Sequence, residues 1–322
     1  MTSIALNSLR FSIQFGFDFY LVKSWFEHMN FASFEEAKSF FDVNKKMINA
    51  TPFVKWVGGK RQIIPQLKKL FPKNGEFNNY HEPFLGGGAV FFALQKKQSF
   101  LSDVNAELIN TYQVIKDKPK ELIKFLESCT HSKEFFTEIR AWDRVENWQE
   151  NFTDVQRAGR FIYMNRTCFN GLYRVNSKGQ FNVPIGSYAN PDFVQKENIT
   201  NVSKLLKETK AIIKLQSFKD VLKNAKSGDF VYFDPPYDTL SETANFTSYN
   251  ESGFARNMQI ELRDVFVKLD KMGCKVMMSN HNTPFIREIY AGFKFEIVKA
   301  RRNVNSNGAG RGEVEEIVVM NY

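Results

Sequence analysis

Apolar residues along this chain fall in short runs separated by stretches of helical spacing. The sharpest run is residues 229–233, which ends at Asp234. Residues 98–102, 275–278 and 316–320 form similar runs. Apolar runs of this length, bounded by polar residues, predict short strands covered on both faces. A further short strand is predicted just before His81. The spacing predicts helices over 107–116, 133–142 and 155–164. Strands alternating with helices from residue 51 onward predict an α/β fold with a twisted, mostly parallel sheet. Between about 120 and 214 the pattern changes, with helical stretches leading into a Gly- and Asn-rich loop over 170–187. This predicts a catalytic-type domain from 51–119 and 215–322, interrupted by an inserted, mainly helical domain over 120–214. There is no internal repeat.

Residues 1–50 read differently. The first 46 residues hold nine of the 33 Phe, and their five acids balance their five bases. Ser33 with Glu36 has the form of a capping box, followed by Phe34, Ala37, Phe40 and Phe41 on one helical face. The segment reads as a packed appendage, or as an extension ahead of a natural start at Met47.

Composition narrows the class. At 322 residues, with 43% apolar and 25% charged residues, the chain is an ordinary globular one. The greasiest stretch, residues 4–26, is broken by Arg10, Asp18 and Lys23, so neither a membrane span nor a secretory signal is expected. Cys129, Cys168 and Cys274 are too few and too scattered for a disulfide framework, which points to a reducing cytoplasm. The four histidines lack ligand spacing, and no metal is expected.

The net charge of +9 is clustered. Residues 43–75, 155–191 and 297–312 contain no Asp or Glu but carry eight, five and four basic residues. Acid-free windows fit surfaces that meet phosphates. The middle window interleaves Arg174 with Phe169, Asn170, Tyr173, Asn176, Phe181 and Asn182. Arg and Asn can bond base edges two at a time, and an aromatic ring can wedge between bases. This segment therefore reads as a loop that contacts nucleic-acid sequence.

Two motifs carry chemistry. Glu82-Pro83-Phe84-Leu85-Gly86-Gly87-Gly88 puts glycines at a strand-to-helix turn. Asp103 follows 17 residues after Gly86 at the end of the next strand, where a nucleoside ribose is often bound. Asp234-Pro235-Pro236-Tyr237 follows a strand and gathers a carboxylate, proline carbonyls and an aromatic face. That set can accept two N–H bonds from an aromatic amine stacked on Tyr237. It would favour localising the amine lone pair toward an electrophilic methyl group.

With these residues in view, residues 52–322 resemble DNA adenine-N6 methyltransferases of the Dam type (D12 class, group alpha). They look nearest to the GATC methylases of DpnII-type restriction–modification systems. The matching segments are Phe53-Val54-Lys55-Trp56-Val57-Gly58-Gly59-Lys60, the glycine turn, and Ser102-Asp103-Val104-Asn105. Further matches are Phe169-Asn170-Gly171-Leu172-Tyr173-Arg174-Val175-Asn176, Phe181-Asn182-Val183-Pro184, and Asp234-Pro235-Pro236-Tyr237. Ser241-Glu242-Thr243 and Asn245-Phe246-Thr247 complete the series.

The resemblance implies a Rossmann-like domain with an inserted target-recognition domain. It implies S-adenosylmethionine as methyl donor and double-stranded DNA as substrate, with base flipping at GATC. A cognate restriction endonuclease acting at the same site is the implied functional partner. Trp56, Lys60, Phe84, Gly86, Gly88, Asp103 and Asp234 match cofactor positions. Asp234, Pro235, Pro236 and Tyr237 match the catalytic pocket. Lys55, Phe169, Asn170, Leu172, Arg174 and Pro184 match DNA-contacting positions, with Asn176 in the same segment. Two departures stand out. Phe169 stands where relatives often carry Tyr, and Ser187 where they often carry a phosphate-contacting Arg. The alternatives are an RNA adenine-N6 methyltransferase with the same chemistry, or a non-catalytic DNA-binding protein that kept the fold.

Overall fold

A computed structural model describes residues 12, 20, 22–24, 47–73, 75–239, 254–301 and 313–322. The Ser33–Glu36 capping box, the Ser241 and Asn245 motifs, Arg302 and Arg311 lie outside them. The chain forms two compact units, Met1–Ile48 and Asn49–Tyr322. In the first, residues 12, 20 and 22–24 are helical.

The second unit is built on a seven-stranded sheet. The strands are β1 (Tyr80–Glu82), β2 (Ser99–Asp103), β3 (Ile212–Leu215), β4 (Phe230–Phe233), β5 (Lys275–His281), β6 (Lys294–Arg301) and β7 (Glu313–Met320). Their order is β3-β2-β1-β4-β5-β7-β6. The first five are mutually parallel, and β7 runs antiparallel between β5 and β6. The fold is α/β and Rossmann-like.

Burial explains which strands were readable. All four residues of β4 are buried, and so are the middle five of β5. Both therefore appear as continuous apolar runs. β3 and β6 were not anticipated. β3 is four residues long, with one buried, and lies at one edge of the sheet. β6 is the other edge and mixes charge with exposed Ile297. Apolar side chains from Val231, Phe233, Val276, Met278, Ile317 and Val319 pack under a long helix and form one face of the core.

The principal helices are α1 (Ala89–Leu94), α2 (Ala106–Asp117), α3 (Pro119–Ser128), α4 (Lys133–Ala141), α5 (Asp154–Thr167), α6 (Lys196–Glu208) and α7 (Arg256–Lys271). Helices α2 to α6 all lie in the connection from β2 to β3. Within it α5 packs against α2, α3 and α4. Thr153 and Gln156 close a capping box at the start of α5, and Ser132 caps α4. Among the described residues no helix is long and apolar enough to cross a membrane.

Strand order reverses between β1 and β4, which pair in parallel. At such a switch point the loops leaving adjacent strands diverge and open a crevice at their carboxyl ends. The glycine turn leaves β1 there, and Asp234-Pro235-Pro236-Tyr237 leaves β4 beside it.

Candidate active site

Asp234 meets a cation. Lys60 Nζ lies 2.9 Å from Asp234 Oδ1 and 4.6 Å from the centre of the Tyr237 ring, and it also donates to the Gly58 carbonyl. The Lys60 side chain is buried, while that of Asp234 keeps 20% exposure. Burial pushes the Asp234 carboxyl up to about 6, opposed by the charge and hydrogen bond of Lys60. Tyr237 is anchored at its far end. Its hydroxyl donates to Glu316 Oε2 at 2.7 Å, and His281 packs edge-on at 4.9 Å. The pocket therefore already holds a nitrogen donor between a carboxylate and an aromatic face.

The glycine turn is tied to β2. Leu85 N–H donates to the Ser102 carbonyl, and Gly86 N–H donates to Asp103 Oδ2 at 2.9 Å. Asn105 N–H takes the other carboxylate oxygen at 3.0 Å. Gly86 has φ +46°, and a Cβ there would sit 2.7 Å from the Trp56 indole. Only glycine lets the turn close this tightly under the indole. Gly88 has φ +69°, and a Cβ there would sit 2.7 Å from the Tyr112 hydroxyl. Burial raises the Asp103 carboxyl, against the bonds from Gly86, Asn105 and Val104. Phe84 packs against the apolar core that includes Phe218 and Phe233. It stacks on Phe218 at 5.4 Å and meets Phe254 edge-on.

Glu82 lies beneath this turn, 2% exposed. Its Oε2 accepts from the Tyr80 hydroxyl at 2.8 Å and from Phe91 N–H at 3.0 Å. Burial pushes its carboxyl up to about 8, with Asp234 and Asp103 adding repulsion.

The segment at 53–56 bridges to the connection between β2 and β3. Asn165 of α5 donates to the Lys55 and Gly171 carbonyls and accepts from Lys55 N–H. Trp56 stacks on Tyr173 at 5.8 Å. The Lys55 ammonium donates to the Tyr188 hydroxyl at 3.0 Å. Beyond α5 the loop folds back on itself, with bridges from Cys168 to Ile185 and from Val175 to Phe181. Phe169 is half exposed, Asn170 has φ +55°, and Pro184 is exposed. Leu172 is partly buried. Arg174 is exposed, and its Nε donates to Asn182 Oδ1 at 2.9 Å. Asn176 spends its side chain locally. It bonds Gln180 through its amide nitrogen and accepts from the N–H groups of Lys178 and Gln180.

A model of the D12 class N6 adenine-specific DNA methyltransferases matches residues 56–304. The chain belongs to that family. It is an adenine-specific DNA methyltransferase. The methyltransferase is 45% identical over 282 residues to the type II methyltransferase M1.LlaDCHI of Lactococcus lactis subsp. cremoris, covering 87% of this chain and 98% of the relative. It is 42% identical to the type II methyltransferase M.MjaIII of Methanocaldococcus jannaschii, over 84% and 99% of the two chains. The DNA adenine methylase of Escherichia coli K12 is 34% identical, over 83% and 94%.

In this methyltransferase the predicted residues fall into three linked groups. Lys60, Asp234 and Tyr237 form one, and Trp56, Gly86 and Asp103 another. Lys55, the 169–172 turn and Arg174 belong to the loop side. Phe84 packs on Phe218, Phe233 and Phe254 of the core face. The acid-free windows fare unevenly. Arg157 pairs with Glu107, Arg160 with Asp143, and Arg166 donates to the Phe53 carbonyl. Only Arg174 and Lys178 of the basic residues in the middle window are exposed. A window free of acids in sequence can still find them in space. Asn165, Gln259, Asn280 and Glu316 were not read as site residues. Each is a single polar residue whose role appears only when distant elements meet.

Proposed function

We propose that this methyltransferase moves a methyl group from S-adenosylmethionine to N6 of an adenine in duplex GATC, with the adenine flipped out of the stack. The Lys60 ammonium carries the reading. It is an N–H donor bonded to Asp234 above the Tyr237 ring, which is the place an exocyclic amine on a stacked base would take. Lys60 gives way as the base enters. Asp234 and the Pro235 carbonyl then accept the two N–H bonds. This would localise the nitrogen lone pair for attack on the donor's methyl group. As the N–C bond forms, the donor's C–S bond would break to leave a thioether, and the proton N6 then sheds would pass to the Asp234 carboxylate or to water.

S-adenosylmethionine supplies, when bound, a methyl group on a positively charged sulfur. The residues fit it. Asp103 closes β2 with carboxylate lone pairs left beyond its main-chain bonds, and it can accept from ribose hydroxyls. Trp56 lies over the Gly86 turn and offers an aromatic wall, and Gly88 keeps the backbone bare. Phe84 contributes from the neighbouring apolar face.

GATC as target rests on the resemblance of residues 169–176 and 181–184. Residues 120–214 serve as the recognition region. Arg174 presents its guanidinium to a guanine edge, and Leu172 and Pro184 offer apolar contact to the thymine methyl. Phe169 wedges into the stack, and Lys55, Asn170 and Asn176 complete the DNA-facing set. The likeness to restriction–modification methylases extends the reading to a restriction endonuclease acting at the same site, without a stable complex. The setting is a reducing cytoplasm, with Cys129, Cys168 and Cys274 buried and free.

The test is expression in cells that lack adenine methylation. Their DNA is then digested with nucleases that cut GATC only when it is methylated or only when it is not. A switch from cutting by the second kind to cutting by the first is expected. Unchanged digestion at GATC, with methyladenine found at other sequences, would replace the target.

A further inference from the structure

Tyr237 is flanked by two peptide groups, and one pair of buried amides holds both. The Pro236 carbonyl accepts from Gln259 Nε2 at 2.8 Å. Gln259 Oε1 accepts from Asn280 Nδ2 at 3.1 Å. Asn280 Oδ1 accepts from Asp238 N–H at 2.9 Å. The three bonds run in one direction and close a ring across Tyr237. Gln259 comes from α7 and Asn280 from β5, and they are 1% and 0% exposed.

The direction of the ring is locked. Asn280 Oδ1 also accepts from His281 N–H at 2.9 Å, so flipping that amide would set donors against two donors. Asp238 itself is held from other sides. Thr283 donates to its Oδ2 at 2.7 Å, and His281 Nδ1 lies 2.5 Å from its carbonyl. Among the described residues no hydrogen bond falls on the Pro235 carbonyl. With the Pro236 carbonyl taken by Gln259, Pro235 is the one left to accept from a substrate. Apolar side chains at 259 and 280 would leave the Pro236 carbonyl and the Asp238 N–H without these partners, so the amides are what hold both peptide groups in one orientation.

We infer that Gln259 and Asn280 are positioning residues for methyl transfer. They fix the peptide groups on both sides of Tyr237, so that its ring face and the Pro235 carbonyl are in place before the base arrives. The inference rests on the pocket assignment made under the proposed function. Preorganised acceptors need no rearrangement at the moment of reaction, and a shift of about 1 Å in such a group costs roughly 100-fold in rate.

The experiment measures labelled methyl transfer from S-adenosylmethionine to bulk genomic duplex DNA, so that an error in the GATC assignment does not touch it. Gln259→Met is expected to lower kcat by roughly 10- to 100-fold, with KM for DNA within about twofold of wild type. Gln259→Glu supplies a readout that simple loss of packing would not move. Ionised, its carboxylate faces the Pro236 carbonyl acceptor to acceptor. Protonated, it donates to that carbonyl and accepts from Asn280 as glutamine does. Its rate relative to wild type therefore rises as pH falls. A ratio flat in pH, or a Gln259→Met kcat within about twofold of wild type, overturns the inference while an inactive Asp234→Ala leaves the pocket assignment standing. An active Asp234→Ala overturns the pocket assignment and the inference with it.

Discussion

Two carboxyls raised by desolvation, one buried and one partly exposed, set the pH behaviour at the scale of single residues. In the proposed mechanism Asp234 accepts N–H bonds most strongly as the carboxylate, and burial pushes its carboxyl up to about 6. The rate constant kcat/KM is therefore expected to fall as pH drops through about 6, because that profile reports the free enzyme. Lys60 holds the carboxyl down. Lys60→Met should move the acid limb to higher pH, which transfer rates measured across the range would show. An unmoved limb would mean that another group sets it. Glu82 acts on stability instead. Its carboxyl is raised to about 8, so the folded state binds a proton that the unfolded chain has already released. That contribution is full at low pH and is lost as pH rises through about 8. Glu82→Gln should flatten the dependence of Tm on pH over this range, and a curve parallel to wild type would refute the assignment. Asp234 and Asp103 could be read from sequence because each closes an apolar run. Gln259 and Asn280 could not, because an amide inside a helix or strand carries no signal until its partner is known.

At the scale of elements, α5 shows how packing can override local preference. A Cβ on Gly159 would lie 2.1 Å from Cδ1 of Phe125, on α3. In an exposed helix, alanine for glycine stabilises by about 1 kcal/mol. Here overpacking costs about 1–3 kcal/mol, so Gly159→Ala is expected to lower the unfolding free energy despite its better helix propensity. Urea unfolding would decide, and a more stable variant would show that Phe125 moves away freely. The elements themselves were legible where burial was two-sided. The helices expected at 133–142 and 155–164 appear as Lys133–Ala141 and Asp154–Thr167. The edge strands β3 and β6 were hidden, since an edge buries fewer residues and interrupts the apolar run.

Across the whole molecule, the basic excess separates into residues that hold the protein together and residues that stay exposed. Arg157, Arg160 and Arg166 belong to the first kind. Arg174 stands exposed on the loop that follows α5, the proposed reading loop, and Lys68 is exposed ahead of β1. Arg174→Ala should reduce discrimination between target and altered sequences by about 1–3 kcal/mol. Lys68→Ala should weaken binding slightly and equally for all sequences, with a smaller salt dependence. Competition binding with single-base variants of the site distinguishes the two, and equal loss of discrimination would remove Arg174 from the reading role.

The sequence by itself determined the chemistry. An acid, two prolines and an aromatic residue at the end of a buried strand, with a glycine turn and a second acid upstream, limit what the crevice can bind. These are local features, set by neighbours along the chain. Only the tertiary structure decided how that chemistry is held. The strand order brings β1 beside β4, Lys60 reaches Asp234 from 174 residues away in sequence, and α7 and β5 supply the amides that clamp Tyr237. Such contacts depend on which distant elements become neighbours, and that follows from how the sheet closes its core rather than from any segment alone.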